Sequence, residues 1–282
     1  MNIRIVSKGK TLQSPEFVEK KRRHRRAIST YIASSLLALI VVLVLVSRID
    51  KLQIKTVEAQ GNTITKDEEI ISLTIEELGG RYLWLIPKSN SLIYPKGKIK
   101  RKLTEALPRL KDINIERRSG VDGLLVSVSE RDEYALYCIE VAEDFSALDC
   151  YYLDIDGLIY SKAPLFSGQV YFIYKIDPPI TEPIGMNVLP PEEFYKLRRF
   201  IEETKKFGMD PNSLSITADE YTLSTKSGGK IIWNREDLKT AVFGNLESFL
   251  LDPNIKEDKT FLDRMLYIDL RYQNKVFYKL KK

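Results

Sequence analysis

Between Ile28 and Val46 the chain reads ISTYIASSLLALIVVLVLV, a run without one charged side chain. A helix rising ~1.5 Å per residue would need about 20 such residues to cross a hydrocarbon layer ~30 Å thick. Inside that layer a helix satisfies its own backbone hydrogen bonds, so the stretch is expected to be one transmembrane helix, assigned to residues 28–47. No later stretch is long and apolar enough to repeat it, which makes the expected anchor single-pass.

After the span the pattern breaks into short elements. Leu52, Ile54 and Val57 suggest an extended segment that closes at the turn pair Gly61-Asn62. Thr65-Lys66-Asp67-Glu68 has the form of a capping box, and Ile70, Ile71, Ile75 and Leu78 follow at helical spacing up to Gly79-Gly80. Tyr82-Leu83-Trp84-Leu85-Ile86 is a compact apolar patch, expected to cover the core. A second helix is expected from Lys96 to Leu107, with Ile99, Leu103, Ala106 and Leu107 inward and Pro108 as its stop. Ile113 and Ile115 alternate in one strand, and Leu124, Val126 and Val128 in another. The loop Ser119-Gly120-Val121-Asp122-Gly123 joins them. Two helices cover one face of a three-stranded sheet and leave the other face or the edge free.

Near Tyr134 the texture changes to aromatic-rich alternation. Strands are expected at Tyr134–Val141, on both sides of the Asp154-Ile155-Asp156-Gly157 turn, and at Gln169–Tyr174. Pro190-Pro191 opens a helix with Phe194, Leu197, Ile201 and Thr204 on one face. Ser213–Thr217, Tyr221–Thr225 and Lys230–Trp233 read as strands. A helix behind Asn234 then turns Leu238, Ala241, Val242, Leu246, Phe249 and Leu250 inward. Asp154 and Asp156 lack the third oxygen ligand and distant glutamate of a calcium loop, so a tight hairpin turn is the better reading.

Charge adds an orientation. Lys20-Lys21-Arg22-Arg23-His24-Arg25-Arg26 stands directly before the span. Residues 1–27 carry nine basic and two acidic side chains, a net of +7 in a chain of net +5, so the remainder is −2. Basic residues beside a span stay on the cytoplasmic side, which places the N-terminus inside and about 235 residues outside. Polar and without apolar period, residues 1–27 are expected to be a disordered tail facing anionic headgroups of the plasma membrane. No recognition element for nucleic acid is visible. A secretory signal would have a shorter apolar core, ~7–15 residues, and a small-residue cleavage site, which Val44-Leu45-Val46-Ser47-Arg48 does not offer.

The order β-α-α-β-β behind an N-in span resembles a POTRA domain, and several phrases resemble the bacterial cell-division family FtsQ/DivIB. These are Val57 to Asn62 after the first strand, Leu107 to Arg117 between second helix and strand, and Ser129-Glu130-Arg131 followed by Ala135. The most telling is Tyr267-Ile268-Asp269-Leu270-Arg271-Tyr272, ahead of the turn Gln273-Asn274. The resemblance implies an α+β chain: a cytoplasmic tail (1–27), the span (28–47), a POTRA-like domain (49–131) and a mixed β domain with two flanking helices (132–282). It further implies a scaffold at the division septum. Such a scaffold recruits FtsB/FtsL-like coiled-coil partners by strand addition at its terminal edge and regulates septal wall synthesis. Arg271 and Tyr272 match positions implicated in that contact. Val276, Tyr278 and Leu280 continue it beyond the turn, Leu280 standing near where some relatives place a Trp. Independently, a terminal strand with alternating side chains is a natural sheet edge, whose free N–H and C=O groups accept a partner strand. The alternative is that this hairpin only completes the domain's own core.

Cys138 and Cys150 lie twelve positions apart in expected neighbouring strands on the outer side, where a disulfide is geometrically reasonable; two buried free thiols are the alternative. The lone histidine, His24, sits in the basic run, so no Ser-His-Asp or Cys-His site forms outside. With no phosphate-cradling loop, no G-x-S-x-G and no metal-ligand cluster, the chain is expected to be no enzyme and to take no cofactor or small-molecule substrate. The rival readings are a POTRA-bearing export or chaperone module and, behind it, an anchored cell-wall hydrolase.

Overall fold

A computed structural model of the chain describes residues 15–118, 122–141, 144–236, 242–272 and 275–281. Ser119, Gly120 and Val121 of the expected loop, Leu238 and Ala241 of the expected helix, and Gln273-Asn274 of the expected turn lie outside them. The structure is a mixed α+β fold.

Helix α1 runs from Pro15 to Ser47, so it takes in the basic run as well as the apolar one. That corrects the expectation of a disordered tail for residues 15–27; residues 1–14 lie outside the described part. Lys, Arg, Glu and Ala are good helix formers, and extending an existing helix avoids the cost of nucleation. Among the described residues, the part from Glu19 to Ser47 is the one helix long and apolar enough to cross a membrane, and none of its apolar window is buried by the protein.

The chain divides into two compact units. The first comprises Met1–Glu58, Ile71–Ile99 and Ile115–Leu125, the second Ala59–Ile70, Lys100–Asn114 and Val126–Lys282. The division passes through a three-stranded sheet whose order is β1 (Thr56–Gln60), β5 (Gly123–Glu130), β4 (Leu110–Arg118). Helix α2 (Asp67–Leu78) buries Ile70, Thr74 and Leu78, and helix α3 (Lys96–Ala106) buries Ile99 and Leu103. The buried stripes are narrower than expected, since Ile75 and Ala106 are exposed. Gly61 ends β1 at a φ of 91°, and a Cβ there would sit 2.2 Å from the Val128 carbonyl oxygen, so a side chain is excluded on two counts.

Between α2 and α3 lies a small hairpin, β2 (Arg81–Tyr82) paired with β3 (Ile86–Pro87). Its tip overturns one expectation. Leu83 and Trp84 do not cover the core; each is 89% exposed. Their backbones explain it, because both have positive φ, 45° and 64°, and the turn carries their side chains outward.

The second unit is dominated by a nine-stranded sheet of order β14-β13-β12-β11-β10-β9-β6-β7-β8. The strands are β6 (Ala135–Val141), β7 (Asp144–Leu153), β8 (Ile159–Lys162), β9 (Ile173–Ile176), β10 (Pro211–Ile216), β11 (Glu220–Thr225), β12 (Lys230–Asn234), β13 (Met265–Tyr272) and β14 (Lys275–Leu280). Strand β9 starts later than expected: Val170 is exposed, and pairing begins at Ile173, where parallel neighbours β6 and β10 are met.

Period-two alternation holds across the sheet's centre: Leu214, Ile216, Tyr221, Leu223, Ile231 and Trp233 are buried, while Ser213, Ser215, Thr222 and Ser224 point to the other face. The parallel steps between consecutive strands, β9 to β10 and β12 to β13, need crossovers, and helices α4 (Pro191–Lys206) and α5 (Val242–Leu250) make them. Both crossovers run the same way across the sheet, so connections of one hand put both helices on one face. Phe194, Leu197, Phe200 and Ile201 of α4 and Val242, Leu246 and Leu250 of α5 accordingly share one core with the sheet. Short helices α6 (Pro253–Lys256) and α7 (Phe261–Arg264) lead into β13.

Candidate functional site

The edge formed by β13 and β14 is built from an antiparallel pairing in which Ile268 faces Tyr278, Asp269 faces Phe277 and Tyr272 faces Lys275. Strand β13 is anchored on its other side by parallel pairing to β12, with Ile231 opposite Ile268. Among the described residues nothing pairs with the far side of β14, which is the outermost strand of the sheet. An edge strand turns a row of backbone N–H and C=O groups outward, and these are the groups an added strand would use.

The five side chains expected at this edge divide into three environments. Val276 and Leu280 are half-buried and pack on the main core, and the Tyr278 ring lies 5.2 Å from that of Phe249 and 5.6 Å from that of Phe261. These three alternate along β14 on the side of helices α5 and α7, with Tyr278 still 47% exposed. Their contacts are with the domain itself.

Arg271 is engaged by the domain as well, though on its exposed face. Its Nε and Nη2 donate to the two oxygens of Asp269 at 3.0 and 2.7 Å, and Nη1 donates to Glu220 of β11 at 3.0 Å. The Arg271 backbone N–H adds a further bond to Asp269, and its carbonyl accepts from the Asn234 amide at 3.1 Å. Hydrogen bonds from Arg271 hold the Asp269 carboxyl below its ordinary range, although partial burial works against them. The same bond to Asp269 pushes the guanidinium further up from its already high value.

Tyr272 stays outside. Its ring packs edge-on against Phe277 at 5.0 Å, and the two are 52% and 50% exposed. Phe277 is the residue that the sequence reading missed. The signal was present: period two puts Phe277 on the face opposite Val276, Tyr278 and Leu280, and a large aromatic on the solvent side of an edge strand calls for an explanation.

Away from the edge, Cys138 and Cys150 face each other in the β6–β7 register, with Cα atoms 4.1 Å apart, and their sulfurs are bonded. Asp154 is committed to its turn. Its Oδ1 accepts from the backbone N–H groups of Asp156 and Leu158, both at 2.9 Å, while Oδ2 is ion-paired with Arg131. Arg131 also donates through Nε to the Pro108 carbonyl at 2.9 Å. Its neighbour Glu130 accepts from the backbone of Ile64 and Thr65 and from the Thr63 hydroxyl. Burial opposes ionisation of Glu130, but these donors, with the Thr65 hydroxyl, outweigh it and bring its pKa to about 2. The Glu130-Arg131 pair is thus two separate fasteners. Among the described residues, no group of three or more His, Cys, Asp or Glu gathers as a metal site.

No family model matches this chain, and no curated protein is significantly similar to it in sequence.

Proposed function

We propose that this chain is a membrane-anchored scaffold of the FtsQ/DivIB type, which takes a strand from a coiled-coil division partner along β14. On this reading α1 is a single N-in span of a bacterial plasma membrane. The three-stranded unit is a POTRA domain that serves recruitment to the septum, and the nine-stranded sheet presents the docking edge. Engagement of FtsB/FtsL-like partners would then regulate septal wall synthesis.

The observation that carries the reading is the unpaired side of β14 with two half-exposed aromatic rings, Tyr272 and Phe277, beside it. Backbone groups of an edge supply affinity to an incoming strand, and exposed aromatics supply much of the energy at interface centres. Further support comes from the Tyr267-to-Tyr272 phrase, which forms the penultimate strand, and from the basic flank of α1.

The test is a titration of the full-length chain, reconstituted in lipid nanodiscs, with the extracytoplasmic segments of the coiled-coil division proteins encoded in the same genome. Saturable binding that Tyr272→Lys and Phe277→Lys both abolish, without loss of fold, supports the reading. No binding by the folded parent removes it and brings forward a module that holds unfolded export clients.

A further inference from the structure

The Leu83-Trp84 tip places two large apolar side chains side by side in the open, each 89% exposed. Tyr82 to Leu85 form a β-turn, closed by the Leu85 N–H donating to the Tyr82 carbonyl at 2.9 Å. Positive φ at both central residues is the mirror-image turn that Asn-Gly usually occupies. Here a leucine and a tryptophan accept that strained backbone and are held 89% exposed. A local choice that conflicts with both backbone preference and burial points to a use outside the protein's own core.

The fastening of this turn says where it stands. The Ser47 carbonyl, in the last turn of α1, accepts from the Gln53 amide at 2.6 Å and from the amide of buried Asn90 at 2.9 Å. Ser89 donates to Gln53 at 2.7 Å, and the Arg48 guanidinium donates to the Leu85 carbonyl at 3.3 Å. The hairpin is therefore tied to the C-terminal end of the helix apolar enough to cross a membrane. Leu92, 67% exposed, and Ile93 follow just after Asn90, and the Tyr82 hydroxyl donates to the Ile93 carbonyl at 3.3 Å. Arg81 and Lys88 flank the apolar tip in the chain, and Arg48 and Lys51 follow the end of α1. Trp and Tyr at headgroup level with basic neighbours is the composition of a bilayer interface, where anionic lipids favour the positive rim.

We propose that the Leu83-Trp84 turn inserts into the headgroup layer of the bilayer that α1 crosses, as a second membrane contact beside the end of the helix. The proposal rests on the reading of α1 as a span, and commits to lipid as the occupant. With two points of attachment, the unit that carries the hairpin is held at a fixed tilt to the membrane instead of pivoting on one helix.

Tryptophan fluorescence of the full-length chain in phosphatidylcholine–phosphatidylglycerol vesicles tests it, because Trp84 and Trp233 are the two tryptophans and Trp233 is fully buried. Trp233→Phe leaves Trp84 as the sole emitter. Should that variant not fold, the difference between parent and Trp84→Phe isolates the same signal. The expected result is a blue-shifted Trp84 band, dimmed by lipid brominated near the headgroup more than by lipid brominated at the midplane, and little affected by aqueous acrylamide. A water-like band, quenched by acrylamide and indifferent to brominated lipid, overturns the proposal and leaves the tip for a protein partner. Flotation after an alkaline wash separates the two readings. A chain that stays with the vesicles while Trp84 remains in water sinks this inference alone; a chain that is washed off sinks the span and this inference together.

Discussion

The guanidinium of Arg271 closes on the carboxylate of Asp269, two positions back on the same strand, and reaches across to Glu220 with its remaining amine. This side chain therefore holds the end of β13 in place, next to the ring of Tyr272. Any effect of Arg271 on partner binding passes first through the shape of the edge.

Arg271→Ala should lower unfolding stability by about 1–2 kcal/mol, since it strands a nearly buried carboxylate while a half-exposed pair contributes less than a fully buried one. The midpoint of a urea titration at neutral pH checks it. The Asp269 carboxyl sits below its ordinary value of 3.8 in the folded state. A depressed folded value means stabilisation that is present above pH 3.8 and lost as pH falls through the folded value. The gap between parent and variant should narrow in that acid range, and a gap that stays constant there would contradict the pairing.

Tyr272→Ala and Phe277→Ala should behave in the opposite way. Their ring pair is a surface contact, and such pairs contribute about 0.5–1.5 kcal/mol, so thermal stability should move little. Affinity for a strand-adding partner should fall at least tenfold, about 1.4 kcal/mol, for each. Isothermal titration alongside thermal melts separates the two effects; a large melt shift with unchanged affinity would count against the edge as the docking site.

Glu130→Gln removes the charge that collects four donors from Thr63, Ile64 and Thr65 ahead of α2. Charge-assisted bonds of this kind make a loss of about 1–3 kcal/mol at neutral pH the expected outcome. The parent's own stability should decline as pH falls from about 4.5 towards about 2, the ordinary and folded values of this group, and the variant should lack that share of the decline. Denaturant midpoints at a series of acid pH values read this directly.

Cutting the Cys138–Cys150 bond, by reductant or by Cys138→Ser with Cys150→Ser, should cost about 2–3 kcal/mol, the loop-closure term for a link spanning 12 positions. Melts with and without reductant should differ in the parent and coincide in the double variant.

Much of this architecture was legible because packing followed simple periods. The α4 face of Phe194, Leu197, Ile201 and Thr204 is buried as its helical spacing implied, and β10, β11 and β12 alternate as written. The failures have a common cause. Gln169 to Tyr174 is apolar enough for a strand throughout, but pairing is set by which residues meet β6 and β10, and that is a property of distant chain. Leu83 and Trp84 look like core until the backbone of their turn is known. At the edge, the strand itself was readable, yet the orientation of Tyr278 depended on Phe249 and Phe261 reaching over it from two helices. Arg271 was readable as important but not as internally committed, because Glu220 lies 51 positions away.

The placement of α4 and α5 on one side of the large sheet has a consequence for any guest strand. A strand laid along β14 inherits the two-sidedness of its hosts: one row of its side chains looks toward α5 and α7, the other toward Tyr272, Phe277 and open water. Its sequence should therefore be written in twos, with one row facing the helices and the alternate row supplying the contacts to Tyr272 and Phe277. A slip of one residue would turn the whole pattern inside out. On the proposed scaffold reading, the geometry of this sheet would act as a reading frame, admitting a partner in one phase and refusing it in the other.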